Sequence, residues 1–257
     1  MKRSIFNNKY TYFLTGIFLI AIIYLLISSA KQNEFIYPSF ATIFNSLGEM
    51  LGSKYAQVSI GYSFLRILLS ICLSFVASLL FSFLYIIFKP SIYIIKPFLF
   101  ILKVSPLAIV SLYLWLSVGD VGATYVVSFM VMFPLMIEAN ISAIDNISPS
   151  LIDEMRLNNV SLFKKFYKIY LPLISPSLIM SVLQCFGLGF KVVVMTEYLC
   201  LTPSSIGRYL YDLKIAFDIP GMLALLIVII VIVAIFEVLI SVVKWKINKE
   251  YPVIETK

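Results

Sequence analysis

The chain has 257 residues, 61% of them hydrophobic and only 13% charged, with a formal net charge of +7 and no histidine. Soluble domains carry about a quarter charged residues, so this composition fits lipid as the solvent, and scattered basic residues with no single patch argue against nucleic acid as a partner. Cys72, Cys185 and Cys200 lack metal-site spacing and the usual general base is missing, so neither a metal, a cofactor nor hydrolase chemistry is expected.

A transmembrane helix needs about 20 mostly apolar residues. Six segments meet that length, 12–30, 63–88, 97–117, 122–143, 173–194 and 222–243. Lys2, Arg3 and Lys9 precede the first run, which is longer than a signal-peptide core and reads as an uncleaved span. After Pro38, Ser39 stands as an N-cap before apolar residues at Phe40, Ile43, Phe44, Leu47 and Leu51, the spacing of an amphipathic helix at the outer interface. The second run is long enough to tilt or to leave the hydrocarbon. The third and fifth each carry a lysine, Lys103 and Lys191, with prolines nearby. The last outer loop, 197–221, contains Pro203, Gly207 and Pro220 and is expected to pack over the outer mouth. Continuous apolar runs without alternation exclude a barrel of short strands, so the fold class is all-α and polytopic.

Basic residues fix the orientation. Lys2, Arg3 and Lys9 in the N-terminal tail, Lys89 and Lys96, then Arg156, Lys164, Lys165 and Lys168, and finally Lys244, Lys246, Lys249 and Lys257 all fall on one side. The opposite loops hold only Lys31, Lys54, Arg208 and Lys214. Both termini are therefore expected in the cytoplasm of a cell whose inner membrane holds the chain.

The cytoplasmic segment 145–172 carries the most local order. Pro149 suits the first position of a helix, and Asp153 and Glu154 in its early turns suit the dipole. Asn158 and Asn159 then interrupt it, asparagine being tolerant of a left-handed conformation. A second helix follows Ser161, and Leu171-Pro172 closes the loop at the membrane. Such a helix–turn–helix either rests on lipid headgroups or docks into a partner's groove.

Intramembrane charges are functional candidates by default. Lys103 lies within snorkelling reach of the cytoplasmic face, and Glu138 is at a similar depth, so the two could neutralise each other. Arg66 and Lys191 are the cations that an anionic solute would require. Lys191 could equally form an ion pair with Glu197, about two turns on, and Gly187 and Gly189 let that helix approach a neighbour.

The 145–172 loop resembles the conserved cytoplasmic loop of ABC-importer permeases. Asp153-Glu154-Met155 takes the place of Glu-Ala-Ala, Arg156 follows, Asn159 replaces the glycine, and Leu171-Pro172 falls at the family's spacing. Pro38-Ser39, Ser63-Phe64-Leu65-Arg66, Lys103-Val104-Ser105-Pro106, Leu114-Trp115, Gly119, Phe133-Pro134 and Lys191 through Glu197 extend the likeness over 37–247. Together they are similar to the nitrate/sulfonate/taurine branch, which also includes permeases for vitamin precursors. The resemblance implies a type I permease fold over 37–247, after a tail and first span at 1–36 and before a tail at 248–257. It also implies a second permease copy, an ATP-binding subunit gripping the loop at Asp153, Glu154, Arg156, Asn159, Leu171 and Pro172, and an extracytoplasmic solute-binding protein. The chain has no phosphate-binding loop of its own. The alternatives are a secondary transporter or channel, which would usually show internal repeats, and a membrane enzyme, which would need a convergent polar cluster.

Overall fold

The computed structural model describes residues 9–31, 33–151 and 161–250. Every regular element among them is helical: α1 (Lys9–Lys31), α2 (Phe40–Gly52), α3 (Lys54–Ile87), α4 (Ser91–Val104), α5 (Leu107–Asp145), α6 (Leu162–Cys200), α7 (Ile206–Ile215) and α8 (Ile219–Glu250). A helix satisfies its backbone groups within its own segment, the condition for crossing lipid. Among the described residues α3, α5, α6 and α8 are long and apolar enough to cross.

The pattern on α3 inverts that of a soluble helix. Ser59, Ser63, Ser70, Ser74, Ser78 and Ser82 are buried, whereas Leu65, Leu69, Leu73, Val76 and Leu80 are exposed. Small hydroxyl side chains let α5 and α6 approach closely, and leucines offer nothing to a neighbour that lipid does not. Ser78 shows the inner face at work, accepting from Asn140 Nδ2 of α5 at 3.3 Å. The interior between α5, α6 and α8 is filled by Met132, Met136, Cys185, Phe186, Phe190 and Leu225.

Caps, rather than hydropathy, set the start of α3. Ser39 Oγ accepts from Thr42 N–H to open α2 as expected. Ser53 then closes α2 with its N–H on Met50 O and opens α3 by accepting from Ala56 N–H. The helix therefore begins at Lys54, well before the apolar run at 63.

The expected third span, 97–117, is not one helix. Pro106 has no N–H and excludes the helical region for the residue before it, and Ser105 is extended at φ −60°, ψ 123°. α4 therefore ends at Val104 and α5 starts anew at Leu107. α5 is itself two arms, folded back at Gly119 with φ 79° and ψ 175°. Lys103 before the turn is joined to Glu138 after it. Ser111 on the first arm and Thr124 on the second both reach the outer end of α6, through Cys200 Sγ at 3.5 Å and Thr202 Oγ1 at 3.5 Å.

α6 departs from expectation in the opposite direction. Leu171-Pro172 does not end the cytoplasmic loop; helix runs unbroken from Leu162 to Cys200. A proline inside a helix clashes with the carbonyl four residues back. Here Phe166–Tyr170 is a π-helical turn, with Leu171 N–H donating to Phe166 O. The wider turn makes room for Pro172, as single π turns do inside α-helices.

Gly119 occupies backbone space that is essentially glycine-only, and an added Cβ would meet nothing within 4 Å. Gly119→Ala should therefore lower stability through backbone strain alone, by about 1–3 kcal/mol. Denaturant unfolding of the purified protein in detergent measures this, and an unchanged midpoint would refute the turn.

Candidate substrate pathway and coupling elements

The strongest polar cluster joins the N-terminal half of α3 to the C-terminal end of α6. Glu197 is fully buried and Arg66 is 6% exposed. Arg66 Nη1 donates to Glu197 Oε1 at 2.8 Å, and Ser63 Oγ donates to Oε2 at 2.7 Å. Gly207 N–H, in the first turn of α7, donates to the same Oε2 at 3.3 Å, where the helix dipole favours an anion. Ser63 Oγ in turn accepts from Ile206 N–H at 2.8 Å. Nη2 donates to Pro203 O at 3.2 Å and Nη1 also to Ser204 O at 3.4 Å. One carboxylate thus ties α3, α6 and α7 together. A Cβ on Gly207 would sit 2.3 Å from Tyr198 N, so only glycine permits this approach.

This geometry places Arg66 and Lys191 in different surroundings. Arg66 is enclosed and committed to Glu197. Lys191 does not pair with Glu197: six residues at 3.6 per turn point the two side chains to different sides of α6. Lys191 is instead exposed on a groove of about 890 Å³ between α6 and α8, with Gln184, Gly187, Tyr198 and Glu237 among its lining. Gly189, by contrast, packs inward against Met132.

Lys103 Nζ donates to Glu138 Oε2, and both side chains are about half exposed. The pair joins α4 to the second arm of α5. It sits on a different part of the molecule from Lys191.

At the opposite end of α6, the described residues 149–151 are helical, starting at Pro149 as its fixed φ allows. Asp153, Glu154, Arg156 and Asn159 lie outside the described residues. Leu171 and Pro172 belong to α6, as above. Phe83 of α3 meets Phe163 and Phe166 of α6 edge-on, with ring centroids 6.4 and 5.1 Å apart. Tyr85 OH donates to Asp145 Oδ1 at 2.7 Å, fastening α3 to the end of α5. Any displacement of the cytoplasmic turn of α6 therefore bears on α3 and α5.

Glu237 and Gln184 were absent from the sequence-derived candidates. Glu237 was detectable, being the one carboxylate in the 222–243 run. Gln184 carries no charge, and only the fold places it beside Glu237.

The sequence profile of a family described as "Binding-protein-dependent transport system inner membrane component" matches residues 47–249. No curated protein matches the chain in sequence. Among solved structures, a chain from a bacterial alginate ABC transporter, crystallised in complex with an alginate pentasaccharide-bound periplasmic protein, is similar with a TM-score of 0.60 and 15% identity over 94% of each chain. At that identity the likeness is one of fold.

Removing one partner of a buried ion pair leaves a bare charge. Arg66→Met or Glu197→Leu should each destabilise the protein by about 3–5 kcal/mol, and the double variant by much less than the sum. Thermal unfolding of the three variants in detergent tests this; strict additivity would mean that the two side chains act independently.

Proposed function

The chain belongs to the inner-membrane components of binding-protein-dependent transport systems, and on that premise we propose that it forms the solute pathway of an ATP-driven importer. A multi-pass membrane permease of this family moves solute but is not the ATPase. The energy comes from a separate ATP-binding subunit, gripping the cytoplasmic loop around Asp153, Glu154, Arg156 and Asn159. Both termini lie in the cytoplasm, the side that the basic residues mark.

The observation that carries this reading is the continuity of α6. The same helix holds the end of the docking loop at Leu162, the fastenings to α3 through Phe163 and Phe166, and the groove with Lys191. A partner that pulls on the loop therefore moves the groove without an intervening hinge. Charges at membrane depth face a bundle interior or water rather than lipid, which puts the α6–α8 face on the pathway. A second copy of the chain completes that pathway as a homodimer, and an extracytoplasmic binding protein delivers solute to the outer mouth near α7. The similar alginate transporter, crystallised with a periplasmic protein, supports a partner of that kind. The cargo class of the branch resembled, small sulfonates, nitrate or vitamin precursors, is the working expectation for the solute.

Affinity purification of the tagged chain in mild detergent, followed by mass spectrometry, is the deciding experiment. Stoichiometric recovery of a subunit with a phosphate-binding loop is expected. Recovery of the chain alone, active in transport after reconstitution, would favour a secondary carrier instead. Within the assembled importer, Asn159→Pro should leave membrane insertion intact but separate ATP hydrolysis from uptake. Phe83→Ala should reduce uptake per ATP hydrolysed by loosening α3 from α6. Unchanged uptake-to-ATPase ratios in both variants would remove the coupling role from this end of the molecule.

A further inference from the structure

The α6–α8 groove carries two opposite charges at membrane depth that do not meet. Neither Lys191 nor Glu237 forms an ion pair or a hydrogen bond with any described residue, while the other intramembrane carboxylates, Glu138 and Glu197, are both paired. Their separation follows from packing. The helices are antiparallel, and the rings of Phe186 and Phe236 stack with centroids 3.4 Å apart, which places those two residues at one level. Lys191 is then five residues outward of that level and Glu237 one residue inward, an axial separation of about 9 Å at 1.5 Å per residue. Gln184 lies close to the level of Glu237, and Tyr198 lies further out, its hydroxyl accepting from Lys214 Nζ at 2.7 Å.

A second copy of the chain does not resolve these charges. A two-fold axis along the membrane normal keeps every residue at its own depth. Lys191 would face the partner's lysine and Glu237 the partner's glutamate. A neutral solute leaves both charges unanswered, and a simple anion leaves Glu237 facing it across the same groove.

We propose that this groove is the solute site and that it takes a compact zwitterion, its acidic group on Lys191 and its ammonium on Glu237, with the Gln184 amide completing the inner end. The proposal rests on the importer reading and narrows its cargo. The flexible lysine stem covers part of the axial gap, so a solute with a two- or three-atom bridge between its charged groups spans the rest. Leu188, Val194, Ile230 and Val233 supply apolar walls that suit a short hydrocarbon bridge and exclude a heavily hydroxylated solute.

The test uses the complete importer, with its ATP-binding subunit and binding protein, in proteoliposomes. The radiolabelled probes are the zwitterions taurine, β-alanine and γ-aminobutyrate, whose charged groups are two or three atoms apart, the anions nitrate and methanesulfonate, and uncharged glycerol. ATP-dependent uptake of one or more zwitterions, with no anion or glycerol carried, is the expected result. Lys191→Gln and Glu237→Gln should each cut that uptake about tenfold or more, the loss of one charge-assisted contact, with Lys191→Arg and Glu237→Asp restoring most of it. Glu237→Gln should also raise methanesulfonate uptake relative to taurine, because the partner of the ammonium is gone; a merely structural role would not shift that ratio. Uptake confined to anions or glycerol, uptake of no zwitterion at all, or zwitterion uptake indifferent to both substitutions overturns the proposal. Zwitterion uptake that is sensitive to both substitutions but indifferent to ATP supports the site while overturning the importer reading.

Discussion

A buried carboxylate holds the outer half of this molecule in place. Glu197 of α6 accepts from Arg66 and Ser63 of α3 and from Gly207 of α7, so one carboxylate joins three helices. The cost of withdrawing a carboxylate and a guanidinium from water is several kcal/mol per ion, recovered only when geometry is good and the remaining donors are satisfied. Here the second guanidinium nitrogen and the serine hydroxyl are also engaged. In lipid the alternative to this arrangement is worse than in water, since no solvent waits to take the charges. The cluster thereby fixes which face α6 turns inward, and with it the direction of every other side chain on that helix.

That rotation produces the division of labour among the intramembrane charges. With Glu197 facing α3 and α7, Lys191 is left on the groove facing α8. Lys103 and Glu138, both half exposed, make a pair of the kind worth little where water reaches it. Its effect is geometric, holding α4 beside the returning arm of α5 across the Pro106 break. Three cations with similar sequence signatures thus stand in three settings, one as an internal brace, one in a lateral tie and one exposed on a groove.

Rigidity is unevenly distributed along the chain. Pro106 divides a segment that hydropathy joins, and Gly119 turns the chain between two that hydropathy separates, so that α4 and the arms of α5 are placed separately. At Pro172 the reverse holds, because a π turn absorbs a residue that would otherwise break the helix. The result is a stiff rod from the cytoplasmic loop to the outer cluster, set among shorter pieces. A rod of that length carries displacement; the broken elements around it accommodate it.

The sequence by itself determined the all-helical class and the Ser39 cap, since these depend on composition, length and local chemistry. It also marked Arg66, Lys103, Glu138, Lys191 and Glu197 as charges needing an explanation. Tertiary structure alone decided how they are distributed. Pairing Glu197 with Arg66 rather than Lys191 depends on helical rotation and on α7 closing over the end of α6, neither of which leaves a mark in spacing. The splitting of the third segment was legible in Ser105-Pro106, yet hydropathy, which averages over windows, masked it, whereas the turn at Gly119 falls between the third and fourth segments. The unbroken run through Pro172 was illegible, because a π turn relieves the clash through wider backbone hydrogen bonding that no residue type announces. Gln184 and Glu237 came to line one groove with Lys191 only when α6 and α8 packed through Phe186 and Phe236, a contact between residues fifty apart in the chain.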